Sequence, residues 1–170
     1  MRWILDACTL IYLVKSKLFS DFINVIDYPL VIDTSVYKEV VMDGIANNYP
    51  DARIAKSILE EFKIPVISID TSSEIKRFRD PGETSCFILS REEGVCLTSD
   101  DRAYKKFKEA GLKAIRLDTF YFEKWKQKKI DEDQIINILN RLENVNATKP
   151  KSIMFFLTKI YPKKEKINND

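Results

Sequence analysis

The sequence predicts an α/β fold: a three-layer α/β/α sandwich around a central, mainly parallel sheet of about five strands. Two observations predict it. Five short apolar runs of strand type recur through the first 117 residues, and a helical pattern separates each from the next; apolar strands joined by helices belong to a parallel sheet covered on both faces. The size agrees, because 170 residues, 45% of them hydrophobic, suffice for one domain with a sizeable core.

In chain order, WIL (3–5) is the first strand, and Asp6 follows it where the chain turns into TLIYLVKSK and then SDFINVIDY, two helical stretches. LVI (30–32) is the second strand. The helix SVYKEVVMD comes next, with Thr34 or Ser35 placed to cap it. DARIAKSILEEF is a helix leading to the third strand, PVISI (65–69), and GETSCFILSREE one leading to the fourth, VCLT (95–98). DRAYKKFKEAG ends at Gly111, as a helix C-terminus does, before the fifth strand KAIRL (113–117). Two packing helices follow, FYFEKWKQKK and DEDQIINILNRLENV, the second with Ile135, Ile138, Leu139 and Leu142 in one apolar stripe. The domain is thus expected over residues 1–145. Asn146 to Lys151, with Pro150, breaks the pattern, so residues 146–170 read as a C-terminal extension: the apolar SIMFFLTKIY, whose docking surface the sequence leaves open, and the polar tail KKEKINND.

Composition excludes several kinds of chemistry. The chain has no histidine, which removes the usual general base, the usual nitrogen metal ligand and every Ser-His or Cys-His pair. Four glycines leave no phosphate-binding loop or dinucleotide fingerprint. Cys8, Cys86 and Cys96 form no C-x-x-C pair and read as reduced, buried thiols. No apolar run reaches the roughly 18 residues that cross a bilayer, and Arg2 and Asp6 interrupt the N-terminus where a signal peptide is apolar; a soluble, cytoplasmic protein without membrane contact is expected. Net charge is +2, unevenly spread: residues 1–100 carry 11 Lys/Arg against 16 Asp/Glu, residues 101–170 carry 17 against 10. A basic C-terminal half suits a polyanion, and equally a solvated helix face.

Four acids stand at comparable places. Asp6 follows the first strand and Asp100 the fourth, at the carboxyl ends where open parallel sheets bind ligands. Glu39 lies one turn into the helix after the second strand, and Glu83 in the first turn of the helix before the fourth. Each has a plain structural role to hand: Asp6 and Asp100 as N-caps, Glu83 beside a helix dipole, Glu39 at the edge of an apolar stripe. The fold, however, can bring all four to one sheet edge. Like charges that close together raise one another's pKa unless a cation neutralises them, and an all-oxygen set with open positions suits Mg²⁺ or Mn²⁺.

At these residues the sequence resembles the PIN-domain family of metal-dependent ribonucleases, and within it the VapC-like toxins and their orphan relatives. The matching pieces are ILDACTLIYL, VIDTSVYKEVV, DPGETSCFILSREEG and VCLTSDDRAYKKFKEAGLKAI, in order, over roughly residues 2 to 120. The resemblance implies an acidic site for one or two Mg²⁺ or Mn²⁺ ions and endoribonuclease activity on RNA. It puts Asp6, Glu39, Glu83 and Asp100 on the four acidic positions, with Asp101 as an assisting neighbour and Thr98 or Ser99 supplying a hydroxyl near the metal. Where the family often has Ser, Thr or Asn two residues after the first Asp, this chain has Cys8, followed by Thr9. Asp6 and Asp100 are the expected direct ligands; Glu39 and Glu83 would bind a second ion, hold water or accept a proton. Arg102, Lys105 and Lys106, which open the helix after Asp100, are candidates for holding RNA. A toxin would carry a small antitoxin over the cleft, with FYFEKW and SIMFFLTKIY as contact surfaces, and homodimerisation is a family habit the sequence does not fix.

Three other readings compete. A haloacid-dehalogenase-like phosphatase needs a second Asp two residues after the first, where Cys8 stands. A receiver-like phosphoacceptor needs an acidic pair at the first strand, which offers only Asp6, although Asp70 follows the third. The third is a PIN-fold binding module in a larger assembly, its acids kept as a metal or structural site.

Overall fold

A computed structural model describes residues 1–74, 78 and 80–162; the tail 163–170 lies outside them. Five parallel strands form one sheet: β1 (Arg2–Leu5), β2 (Leu30–Asp33), β3 (Val66–Ile67), β4 (Gly94–Leu97) and β5 (Ala114–Ile115), in the order β3-β2-β1-β4-β5. All five coincide with the apolar runs read from the sequence: β1, β2 and β4 each reach one residue beyond theirs, at Arg2, Asp33 and Gly94, and β3 and β5 are shortened to two residues each. β1 is the central strand. The chain builds outward from it to β2 and β3, then returns to its other side for β4 and β5.

Register shows how two faces are covered. Trp3 pairs with Val95 and Ile4 with Cys96, so Trp3 and Ile4 point to opposite faces of the sheet. On the Trp3 side the indole meets Phe120 edge-on at 5.3 Å, and Phe120 stacks with Phe22 and Tyr121. That layer contains α1 (Ala7–Lys15), α2 (Phe19–Val25) and α7 (Leu117–Lys126). On the Ile4 side Cys96 touches Cys86 of α5 (Pro81–Arg91), and Phe87 of α5 packs edge-on at 5.6 Å against Phe107 of α6 (Asp101–Glu109), with Phe78 beside both. The result is an α/β/α sandwich. The close approach of α5 to the sheet depends on Gly94, where a Cβ would lie 2.1 Å from Ile4 Cδ1 and 2.9 Å from the Leu89 carbonyl oxygen.

The helix after β2, α3 (residues 34–46), starts as Thr34–Tyr37, runs through a π-helical turn, Lys38–Asp43, and closes with Gly44–Ala46. Its cap differs from expectation. Asp33, not Thr34 or Ser35, takes the N-cap position, its carboxylate accepting the Ser35 N–H at 2.8 Å, because β2 extends one residue further and leaves Asp33 at the junction. α4 (Pro50–Glu61) then leads to β3. α7 starts at Leu117, three residues before the predicted FYFEKWKQKK, because the chain leaves β5 after only two residues.

α8 (Glu132–Asn144) opens with a reciprocal capping box between Asp131 and Gln134 and buries Ile135, Ile138, Leu139 and Leu142, the stripe read from the sequence. Residues 150–160 form α9 (Pro150–Ile160), with Pro150 in its first turn. Ile153, Phe156 and Ile160 turn inward, and Phe156 stacks on Phe122 of α7 at 4.7 Å. Thr148 donates to the buried Asp118 carboxylate at 2.6 Å, fixing the approach to α9. The segment SIMFFLTKIY therefore docks on its own chain with one face. Its other face exposes Met154 and Phe155.

Candidate functional site

The strand order reverses at β1, between β2 on one side and β4 on the other, and a crevice beyond the strand ends is where this topology leaves room for a ligand. Asp6 closes β1 there. Its main-chain N–H still donates to the Leu97 carbonyl of β4 at 3.3 Å, so the residue is carried by the sheet, while its side chain caps α1 by accepting the Thr9 N–H at 2.8 Å. The Cys8 thiol lies 3.1 Å from both carboxylate oxygens and donates to them, standing where a hydroxyl or amide would do the same. Thr98, fully buried, supports the Asp6 anion through its hydroxyl and accepts the Asp100 N–H at 3.2 Å, tying the two acids together. Burial raises the Asp6 pKa despite this support.

A cleft of about 140 Å³ is lined by Asp6, Ala7, Cys8, Glu39, Asp80, Gly82, Glu83 and Asp100. All four acids singled out in the sequence meet here, and a fifth, Asp80, joins them. Asp100 caps α6 by accepting the N–H groups of Arg102 and Ala103 at 2.8 and 2.7 Å. Asp80 caps α5 through the Glu83 N–H at 2.7 Å. Its one legible signal was an Asp before Pro at a helix start, a pattern that capping explains fully. Gly82 keeps the α5 start low: a Cβ there would lie 3.3 Å from Asp80 Oδ1 and 3.6 Å from Glu39 Oε2.

Electrostatics follow from the crowding. Glu39 has its pKa raised by burial first, then by Asp80, Asp6, Asp43 and Glu83. Glu83 is raised by burial, opposed by Lys106, and raised further by Asp80 and Asp100. The Lys106 ammonium sits 3.5 Å from Glu83 Oε2 and 4.8 Å from the centre of the Phe78 ring, a cation at the rim of the acidic cleft. Tyr12, one helical turn after Cys8, also feels Cys8, Asp6 and Asp100, which add to burial in raising its phenol.

The remaining sequence candidates fall elsewhere. Asp101 does not line the cleft; Arg116 at 2.5 Å and Lys149 at 2.6 Å bind it, and together they hold its carboxyl below the usual range. Ser99 keeps a buried hydroxyl with no partner among the described residues. Lys105 extends into solvent, 3.8 Å from Glu109, and Arg102 is exposed. Larger clefts exist, one of about 600 Å³ beside Asp21, Lys129 and Arg141, but there Arg141 faces Asp21 at 3.4 Å and the charges are balanced.

The carboxylate oxygens around the small cleft are the donors that hard divalent cations take. Among the described residues no three acidic or thiol side chains are gathered round a single point as a ligand set. No helix among them is long and apolar enough to cross a membrane.

No family model and no curated protein matches the sequence. Among solved structures, the chain is similar to a domain of a functionally unknown protein from Methanocaldococcus jannaschii, with 21% identity, a TM-score of 0.47 and coverage of 68% of this chain and 90% of that one.

Proposed function

We propose that this chain is a PIN-like, Mg²⁺- or Mn²⁺-dependent endoribonuclease whose site is the acidic cleft at the end of β1 and β4. The observation that carries the reading is the convergence of five carboxylates from four separate elements on one cleft of about 140 Å³, at the point where strand order reverses. A stable fold has no need to gather anions there, and burial with mutual repulsion works against it. Asp6 and Asp100 would hold the ion, with Glu39, Glu83 and Asp80 around it. Bound there, a divalent cation supplies positive charge to a phosphodiester and acidifies an attacking water.

The chain's own residues do the rest. Thr9, Thr98 and Cys8 fix the Asp6 carboxylate in one orientation, so that its oxygens need no reorganisation when they bind. Glu39 and Glu83, whose pKa values are raised by burial and by the neighbouring carboxylates, are suited to take a proton from water or return one to the leaving oxygen; no histidine is present to do so. Lys106 at the rim can exchange Glu83 for a phosphate oxygen. In a toxin, a small antitoxin would cover this cleft.

The test is cleavage of a labelled RNA panel by the purified chain with Mg²⁺, Mn²⁺ or EDTA, beside Asp6→Asn and Asp100→Asn. Cleavage should require the cation, and each substitution should lower it at least a hundredfold while circular dichroism stays unchanged. Equal trace cleavage by all three proteins would sink the nuclease reading and leave a binding module.

A further inference from the structure

Resting on the ribonuclease reading, we infer that the groove between α7 and α9 is the track along which single-stranded RNA leaves the acidic cleft. The groove, of about 580 Å³, has Phe122 and Phe156 in its floor and Arg116, Lys126, Lys151 and Phe155 along its walls, with Glu123 paired to Lys126 at 2.9 Å and Asp118 buried beneath. Three observations select RNA as the occupant.

The first is continuity. Asp101, next in the chain to the cleft residue Asp100, is bound by both Arg116, on the groove wall, and Lys149, the residue before α9. The groove therefore begins beside the rim of the cleft, and a strand with a phosphate at Asp100 can continue into it.

The second is chemistry. An exposed ring with cations around it is how single strands are bound without sequence preference, bases stacking while ammonium and guanidinium groups follow the backbone. Phe155 is 56% exposed, although it belongs to a helix whose other face is fully docked, and Lys159 lies 5.8 Å from its ring centre. Lys151 is exposed and has no ion-pair partner among the described residues.

The third is charge distribution. The groove lies wholly within residues 101–170, which carry 17 Lys/Arg against 10 Asp/Glu, opposite in sign to the half that supplies most of the cleft. Within the groove Arg116 is paired with Asp101 and Lys126 with Glu123, so among the described residues Lys151, with Lys159 beside Phe155, is the cation left to meet a polyanion. Thr148, held on Asp118, and Phe156, stacked on Phe122, keep the two helices at a fixed separation, so the groove exists before a strand enters.

The experiment is fluorescence anisotropy of a labelled twelve-nucleotide unstructured RNA with the full chain in EDTA, so that binding is read without cleavage. Lys151→Glu and Phe155→Ala, both at exposed positions, should each weaken binding about tenfold, and affinity should fall with salt. Lys63→Glu, an exposed cation beside β3 at the opposite sheet edge, should bind as wild type does. If Lys151→Glu and Phe155→Ala bind like Lys63→Glu, or if the wild type does not bind, the groove is not the track. The two readings fail separately. Groove-dependent binding without cation-dependent cleavage overturns the nuclease and leaves the track, whereas Asp6-dependent cleavage with groove-independent binding does the reverse.

Discussion

Asp6 is the one buried carboxylate among those lining the cleft, and the three residues that hydrogen-bond its side chain, Thr98, Thr9 and Cys8, stabilise the anion against its burial. Its place after an apolar strand was legible in the sequence, as was the departure at Cys8; that the thiol itself would meet both Asp6 oxygens was not, since it depends on the α1 cap geometry. Asp80 was missed because a capping role accounts for it entirely. The acids also set a pH dependence. Glu39 and Glu83 have folded-state pKa values above the ordinary 4.5, so the folded chain binds their protons more tightly than the unfolded one. Stability without cation should therefore rise as pH falls from neutral through those raised values, and stop rising below about 4.5. Glu39→Gln should raise the melting temperature at pH 7.5 and flatten this part of the profile. A calorimetric series from pH 7.5 to 5 checks it, and a lowered melting temperature would show that Glu39 is held by contacts the repulsion does not outweigh.

The elements follow the sequence where burial alone decides them. Five apolar runs became five strands, and the stripe on α8 became a packed face. What escaped were junctions. The π-helical turn that carries Glu39 has no signature in KEVVMD, because an extra residue in a turn is chosen by the packing of Val36, Val40 and Val41 rather than by local preference. Likewise Asp101 reads as an assisting acid until residues 116 and 149 arrive beside it. Gly94 is the plainest case of an element fixed by one atom's absence. Gly94→Ala should cost about 1–3 kcal/mol through overpacking against Ile4 and the Leu89 carbonyl, lowering the melting temperature by several degrees. Thermal denaturation measures this directly, and an unchanged midpoint would mean that α5 can lift from the sheet without loss.

At the scale of the molecule, fold class was the most legible property, because alternating strands and helices admit few arrangements. Which strand would be central was not read, and that is what decides where the site lies. If the cleft binds a divalent cation, the ion also becomes part of the folding equilibrium: Mn²⁺ at about a hundred times its dissociation constant should add about 2.7 kcal/mol to stability. The gain should vanish in Asp6→Asn, and a thermal scan with and without EDTA separates the two proteins. The central position of β1 has one further consequence, for synthesis. β1 is made first, yet one of its edges stays open until Gly94 to Leu97 have been made. A chain emerging from the ribosome thus carries an unpaired apolar strand and no Asp100, and the strand that covers the open edge of β1 delivers the last acid behind it. A nascent or truncated chain would be prone to aggregate and would lack the assembled acidic cleft, so the cell would meet that cleft only in molecules that have finished folding.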